Sequence, residues 1–244
     1  MNKRRFEKVK GIFVTGTDTG VGKTVVAGAI ARQLAIKGKR TGVFKPIATG
    51  CKHTREGLVN SDAEFLAHCV DSRFSLEQIN PIRYHEPVAP IVAIEQSKHE
   101  IDWESLEQAY KNIAAESEII IVEGIGGVMV PITKNYLVID LMEEMALPVV
   151  IVAWSRLGTI NHTLLTIEMC KNRGLKVIGV VMNGYQAEEA SLAEETNMRV
   201  INETAGVKIL TVIPFDKSIC LEKGKIGEEI TAAIDMVNWG EELI

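Results

Sequence analysis

Short apolar runs alternate along the chain with stretches whose apolar residues recur at helical spacing. Gly11-Ile-Phe-Val-Thr15 is a run of strand type, and Val25 to Lys37 carries alanines, a leucine and isoleucines at the period of a helix. Gly38-Lys-Arg40 closes the turn, and Thr41 to Pro46 reads as a second strand, so the opening is a strand–helix–strand unit and hence a parallel pair. Further buried runs follow at Ile119–Val122, Leu147–Trp154, Lys176–Met182 and Lys208–Ile213. Between them helices are predicted from Asn60-Ser-Asp-Ala-Glu64, from Asp102 to about Ala115, from Leu157–Asn161 to about Cys170, from about Glu188 to Ala205, and from about Ile226 to Val237. Ser61 with Glu64 has the spacing of a capping box, Asp102 and Thr159 are candidate caps, and Val128–Ile132 reads as one more extended piece. Residues 72–100 read as irregular, because Pro81, Pro87 and Pro90 exclude a helix interior and stiffen a loop. Five or more parallel strands alternating with helices predict an α/β, doubly wound, three-layer sandwich with a mostly parallel central sheet.

Composition narrows the class. The 244 residues contain no Pro/Ser-rich linker and no internal repeat, so a single domain over 1–244 is expected, with residues 1–10 as a flexible tail. A hydrophobic share of 46% beside 24% charged residues is that of an ordinary globular chain. The net charge of −5 argues against nucleic acid as a partner, and the basic Asn2–Arg5 reads as a solvated tail. No run reaches the roughly eighteen apolar residues that span a membrane, and the start has no apolar core of a secretory signal. Cys51, Cys69, Cys170 and Cys220 are far apart and form no C-x-x-C, as expected of buried reduced thiols in a cytoplasmic protein.

Chemistry enters between the first strand and the first helix, at Gly16-Thr-Asp-Thr-Gly-Val-Gly-Lys-Thr24. A strand, a glycine-rich turn and a helix opening on Gly-Lys-Thr form the context of a phosphate-binding loop. Glycines let several N–H groups face one anion, and the free amides and dipole of the helix add to the attraction. Lys23 would reach the β- and γ-phosphates and the Thr24 hydroxyl would bind Mg²⁺. The strict pattern asks for glycine six residues before the lysine, where Thr17 stands; Gly16 lies one place earlier.

Other candidates sit at predicted strand ends, where ligands of open α/β sheets collect. Lys45 should face the loop, unless it is a surface lysine in a salt bridge. Asp62 either supports its helix start or contacts Mg²⁺. Glu123 appears where the four-residue apolar strand Ile119–Val122 ends, before Gly124-Ile-Gly-Gly127, and is either an acid that orients Mg²⁺ or part of a turn. Asn183, before Gly184, either reads a purine edge with its amide or forms an Asn-Gly turn. His85 reads as structural or exposed rather than catalytic, and His162 as packed in its helix.

These segments together closely resemble the dethiobiotin synthetase family: Gly16 to Thr24, Phe44-Lys-Pro46 with Ala48-Thr-Gly50, Asn60-Ser-Asp62, Val122-Glu-Gly124 with Gly126-Gly127, and Leu157-Gly-Thr-Ile-Asn-His162, in family order from about Gly11 to Pro214. The resemblance implies a P-loop NTPase-like fold and an ATP- and Mg²⁺-dependent ligase. Its substrates would be diaminopelargonic acid, CO₂ and ATP, joined through a carbamate and a carbamic-phosphoric anhydride into a cyclic urea. It implies Lys23 and Lys45 as catalytic groups, and Thr24, Asp62 and Glu123 as the metal set. It places ATP on Thr19, Gly20, Val21, Gly22, Lys23, Thr24 and Val25, on Asp62, and on Glu123, Gly124, Ile125 and Gly126. The adenine side would be Asn183, Gly184, Pro214, Phe215 and Asp216. The second substrate would meet Thr17, Lys45 and Thr49, and the turn Leu157, Gly158, Thr159, Ile160 and Asn161 at a homodimer interface. Ile125 and Trp154-Ser-Arg156 depart from the family pattern without removing a charge.

The same fold hosts nucleotide switches that partition DNA or place division sites, whose mark is a lysine early in the loop. Here Asp18 occupies that place, five before Lys23. Cofactor ligases of the amidotransferase type carry an added glutaminase domain, for which 244 residues leave no room.

Overall fold

The computed structural model describes residues 6–55 and 57–242. Its central sheet has six strands, β1 (Gly11–Gly16), β2 (Thr41–Phe44), β3 (Ile119–Gly127), β4 (Val149–Trp154), β5 (Val177–Tyr185) and β6 (Ile209–Pro214). They lie in the order β6-β5-β4-β1-β3-β2, and each pairing is parallel. Phe13 of β1 stands opposite Val149 of β4 on one side and Val122 of β3 on the other. The apolar runs are continuous because both faces are covered: Ile120, Ile121, Val122 and Val149–Ala153 have no exposed surface.

The flanking helices complete a doubly wound three-layer sandwich: α1 (Lys23–Ile36), α2 (Ser61–Cys69), α3 (Pro90–Ser97), α4 (Trp103–Glu116), α5 (Val138–Met145), α6 (Thr159–Asn172), α7 (Leu192–Ala205) and α8 (Glu228–Asp235). From β1 the chain runs to β2 and β3 on one side, then crosses to lay down β4, β5 and β6 on the other. The winding therefore reverses at β1, and the crevice at its carboxyl end is the ligand position of such sheets. Among the described residues no helix is long and apolar enough to cross a membrane.

Several expectations need correction. Phe6–Lys10 are not a loose tail: Phe6 is buried with its ring edge-on to Tyr110, and the Lys10 carbonyl accepts from the Ile120 amide. The basic Asn2–Arg5 lies outside the described residues. Residues 72–100 contain a turn of helix at Leu76–Ile79 and the helix α3; Pro90 opens α3 at its first turn, where a missing N–H costs nothing. Asn60, not Ser61, caps α2, its side-chain oxygen accepting from the amides of Asp62 (3.1 Å) and Ala63 (3.3 Å). The helix starts at Ser61, so Glu64 falls one place too far along for a capping box. Gly158, with φ +92°, caps α6; Thr159 is already helical and its hydroxyl faces that of Thr163 at 3.5 Å. The polar helix splits into a short turn at Ala187–Glu189 and α7, which opens on a Ser191–Glu194 capping box. His162 stands exposed on α6. All four cysteines are free, but Cys220 is only half-buried; burial pushes the Cys69 and Cys170 thiols up to about 12, which leaves them inert.

Candidate active site

β1 ends in Thr15-Gly16 and the chain turns through Thr17–Gly22 into α1. A Cβ on Gly16 would lie 2.7 Å from Val21 Cγ2, 3.0 Å from Lys23 Cγ and 3.1 Å from the Asp18 carbonyl. The close approach that needs a glycine is therefore at 16. Thr17 is not among the residues with positive φ, so the threonine of the imperfect motif carries no backbone strain. Its amide donates to the Val152 carbonyl of β4 at 3.0 Å, which ties the loop to the sheet. Gly22, with φ +91°, starts α1 and has no room for a side chain, since its Cβ would meet Asn183 Nδ2 at 2.0 Å.

Two lysines and two carboxylates converge behind this loop. Lys23 Nζ donates to the Asp18 carbonyl at 2.8 Å, curling the loop around its own ammonium. Burial, and then the nearby Lys45 charge, push the Lys23 pKa down to about 8, against the pull of Glu123, Asp62 and Asp18. Lys45 follows β2 and is almost wholly buried. Its backbone is clamped: its amide donates to the Ile79 carbonyl, and its carbonyl accepts from the buried Asn80 side chain at 2.7 Å. Lys45 Nζ donates to Asp62 Oδ2 at 2.9 Å, to Glu123 Oε1 at 2.7 Å and, at 3.4 Å, to the Gly124 carbonyl. Thr24 Oγ1 donates to the same Glu123 Oε1 at 2.8 Å.

The charges are set by this packing. Burial works against the Lys45 ammonium, but Glu123 and Asp62 outweigh it and hold its pKa above the ordinary lysine value. Burial likewise raises the Glu123 carboxyl, with Lys45 opposing. For Asp62 burial pushes the pKa up, but the Lys45 charge, hydrogen bonds from Lys45 and Thr24, and the Lys23 charge together outweigh it and hold the pKa below the usual carboxylate range. Glu123 lies inside β3, which continues to Gly127, and not at a strand end as expected; both its faces are therefore covered. Its second oxygen, Oε2, is buried without a hydrogen-bond partner. Such an atom calls for a ligand.

The donor set fits Mg²⁺. Thr24, Asp62 and Glu123 offer hard oxygens, and Mg²⁺ bound with phosphates needs only one or two carboxylates. Among the described residues no three His, Cys, Asp or Glu side chains gather as a metal cage.

A cleft of about 380 Å³ joins these groups. From the loop and α1, Thr19, Gly20, Gly22, Lys23, Thr24 and Val25 line it. Lys45, Thr49, Asp62, Glu123, Ile125 and Gly126 line it as well. Ala48, Asn60 and Leu221 also line it. Ala48 and Asn60 belong to segments that carry the family resemblance but have no site role implied by it, and Leu221 and Asn80 carry no sequence signal, a distant leucine and a buried amide having no motif. A larger hollow of about 770 Å³ lies between Arg32–Thr41 and His68–Phe74, but its cations are exposed and none of the catalytic candidates reaches it.

The remaining candidates stand outside the cleft. Val21 is buried under the loop, and Gly124 packs in β3 against Phe13. Asn183, expected to read a purine edge, spends its amide NH₂ on the Val21 carbonyl at 2.9 Å and so braces the loop from below. Gly184 lies against the Trp154 ring. Pro214 ends β6, Phe215 is partly exposed, and the Asp216 carboxylate accepts from the Ser218 amide and hydroxyl. Thr17 sits at the β1 end, half-buried. Leu157 and Gly158 lie in the turn from β4 into α6, and Thr159, Ile160 and Asn161 form the first turn of α6; Leu157 is 82% exposed.

Residues 10–222 match the family model described as AAA domain. The chain is similar to the ATP-dependent dethiobiotin synthetase BioD of Thermodesulfovibrio yellowstonii, 39% identical over 233 residues that span 93% of this chain and 96% of the relative. The protein of the same name from Aquifex aeolicus is 38% identical over 197 residues, 81% of this chain and 86% of the relative. Among solved structures, the MinC:MinD cell division protein complex of Aquifex aeolicus superposes with a TM-score of 0.60 at 17% identity, covering 93% of each chain. The septum site-determining protein MinD complexed with Mg-ADP, from Pyrococcus horikoshii, gives 0.56 at 16% identity over 94% of each chain. At such identities the structural likeness speaks for the fold alone.

Proposed function

The chain belongs to the dethiobiotin synthetase family, ATP-dependent ligases built on a P-loop fold, and from that premise we propose the course of its reaction and the residues that carry it. The whole chain acts as one catalytic domain, in the cytoplasm, where its four free thiols stay reduced. One amine of diaminopelargonic acid takes up CO₂ as a carbamate. The carbamate oxygen attacks the γ-phosphate of ATP, and ADP leaves. The second amine displaces phosphate from the carbamic-phosphoric anhydride and closes a cyclic urea.

The single observation that carries this reading is the convergence of Lys23, Lys45, Asp62 and Glu123 on one cleft beside the loop. Phosphoryl transfer needs positioning and positive charge more than covalent help. The loop amides and the start of α1 would cradle the phosphates of ATP. Lys23, held across the loop, would neutralise charge on the transferring phosphoryl group. Lys45 would face both that group and the carbamate, and Thr49 would hold the substrate in the same cleft. Thr24, Asp62 and Glu123 would hold Mg²⁺, which when bound with ATP supplies further positive charge to its phosphates. Asn183, Gly184 and Pro214–Asp216 are assigned to the adenine side, where the free Asn183 oxygen can still accept. The Leu157–Asn161 turn is assigned to the substrate carboxylate across a homodimer; the exposed Leu157 and Leu165 support a second protomer there.

The test is product mass from protein, Mg-ATP, bicarbonate and diaminopelargonic acid. ADP and phosphate should appear only with the diamine, together with the cyclic urea. ATP hydrolysis that ignores the diamine would overturn this chemistry.

A further inference from the structure

In this chain the two carboxylates proposed for the metal are already occupied from within. Lys45 Nζ lies between them, 2.9 Å from Asp62 and 2.7 Å from Glu123. A third contact, to the Gly124 carbonyl, completes the three donors of the ammonium. Lys45 and Glu123 are buried almost completely, so their attraction is poorly screened by water. The lysine backbone is pinned on both sides by Ile79 and Asn80, and only the side chain is free to change partners.

Charge counting shows the consequence. Counted formally, the two lysines Lys23 and Lys45 face the two carboxylates Asp62 and Glu123 across one cleft, so their charges balance before any ligand is bound. A divalent cation alone would have to displace an ammonium and leave a buried excess of positive charge. Polyphosphate removes that obstacle, because it supplies the anion that both the metal and the released ammonium need. We propose that Lys45 is an internal counter-ion that holds the Asp62–Glu123 pair until metal and nucleotide arrive together. Filling the site and freeing the Lys45 ammonium into the cleft it shares with Thr49 are then one event. An ammonium free to meet the carbamate would be present only when the phosphoryl donor is in place. This inference rests on the metal role given above to Asp62 and Glu123.

The test is Mn²⁺ binding, read as free-ion signal in electron paramagnetic resonance, with and without a non-hydrolysable ATP analogue. Without nucleotide, wild type should bind Mn²⁺ weakly. Lys45→Met, which keeps length and loses charge, should bind it about tenfold or more tightly, the least expected when a cation is removed from beside a carboxylate. Equal or weaker binding by Lys45→Met would overturn the counter-ion role. Should that variant fail to fold, wild type decides by NMR of its lysine ammonium groups. One protected, carboxylate-bound signal should be present in the free protein and shift when Mg²⁺ and the analogue are added together, but not with Mg²⁺ alone. A signal unmoved by the pair would overturn the proposal. Glu123→Gln separates the two readings: if it leaves Mn²⁺ binding with nucleotide intact, the metal assignment itself falls.

Discussion

Gly16→Ala asks whether the glycine requirement of the phosphate loop truly lies one residue before the strict motif. The added methyl would sit 2.7 Å from Val21 Cγ2, 3.0 Å from Lys23 Cγ and 3.1 Å from the Asp18 carbonyl. Val21 is buried, and Lys23 is held to Asp18 from its far end, so none of the three can withdraw freely. Overpacking of this kind costs about 1–3 kcal/mol. For a chain of this length about 2 kcal/mol lowers Tm by roughly 4–8 °C. Relief requires the loop to open, which moves Lys23 away from the phosphates. Gly16→Ala should therefore lose both stability in urea and most of the thermal stabilisation that ATP confers. Thr17→Gly restores the strict motif, yet Thr17 has ordinary backbone angles, so it should gain no affinity and lose up to about 1 kcal/mol to chain entropy. A Gly16→Ala protein with wild-type melting and ATP affinity would refute the reasoning, as would tighter ATP binding by Thr17→Gly.

Three further outcomes follow from the site. Lys45→Ala should lower kcat by several orders of magnitude while the dissociation constant of ATP measured without divalent metal stays nearly unchanged, a split that steady-state kinetics and equilibrium binding read separately. Nucleotide affinity should be pH-dependent through Lys23: its pKa near 8 in the free protein rises when phosphates bind, so affinity is full below pH 8 and falls as pH rises above it. Calorimetric titration from pH 7 to 9.5 checks this, and a flat profile would contradict it. Asn183→Ala removes the donor to the Val21 carbonyl and leaves a buried acceptor unpaired, a loss of about 1–3 kcal/mol in urea unfolding, accompanied by weaker ATP binding as the loop loosens.

Much of this protein is determined by local pattern. The buried runs at Ile119–Val122 and Val149–Trp154 specify strands covered on both faces, and alternation with helices specifies parallel pairing, because a parallel crossover needs a helix-length connection. The phosphate loop was legible for the same reason: strand, turn and helix start are contiguous, so Lys23 and Thr24 carry their context with them. Where local signals competed, pattern misled. Asn60 and Ser61 are both good caps, and only the observed start of α2 selects Asn60. Three prolines argued against helix in 72–100, yet Pro90 suits the first turn of α3.

Tertiary structure alone decided the rest. Asp62 and Glu123 lie 17 and 78 residues beyond Lys45, and no spacing says that one ammonium lies between two carboxylates. The open alternatives for Lys45, a salt bridge or a lysine facing the loop, turn out not to exclude each other, since it lines the loop's cleft while bridging both acids. Asn183 was legible as a polar residue late in a strand, but its hold on Val21 depends on how β5 lies beneath the loop. Residue type and period set what each segment becomes, because backbone sterics and burial act over a few neighbours. Which charges meet depends on crossovers between distant strands, and that order exists only once the sheet has formed.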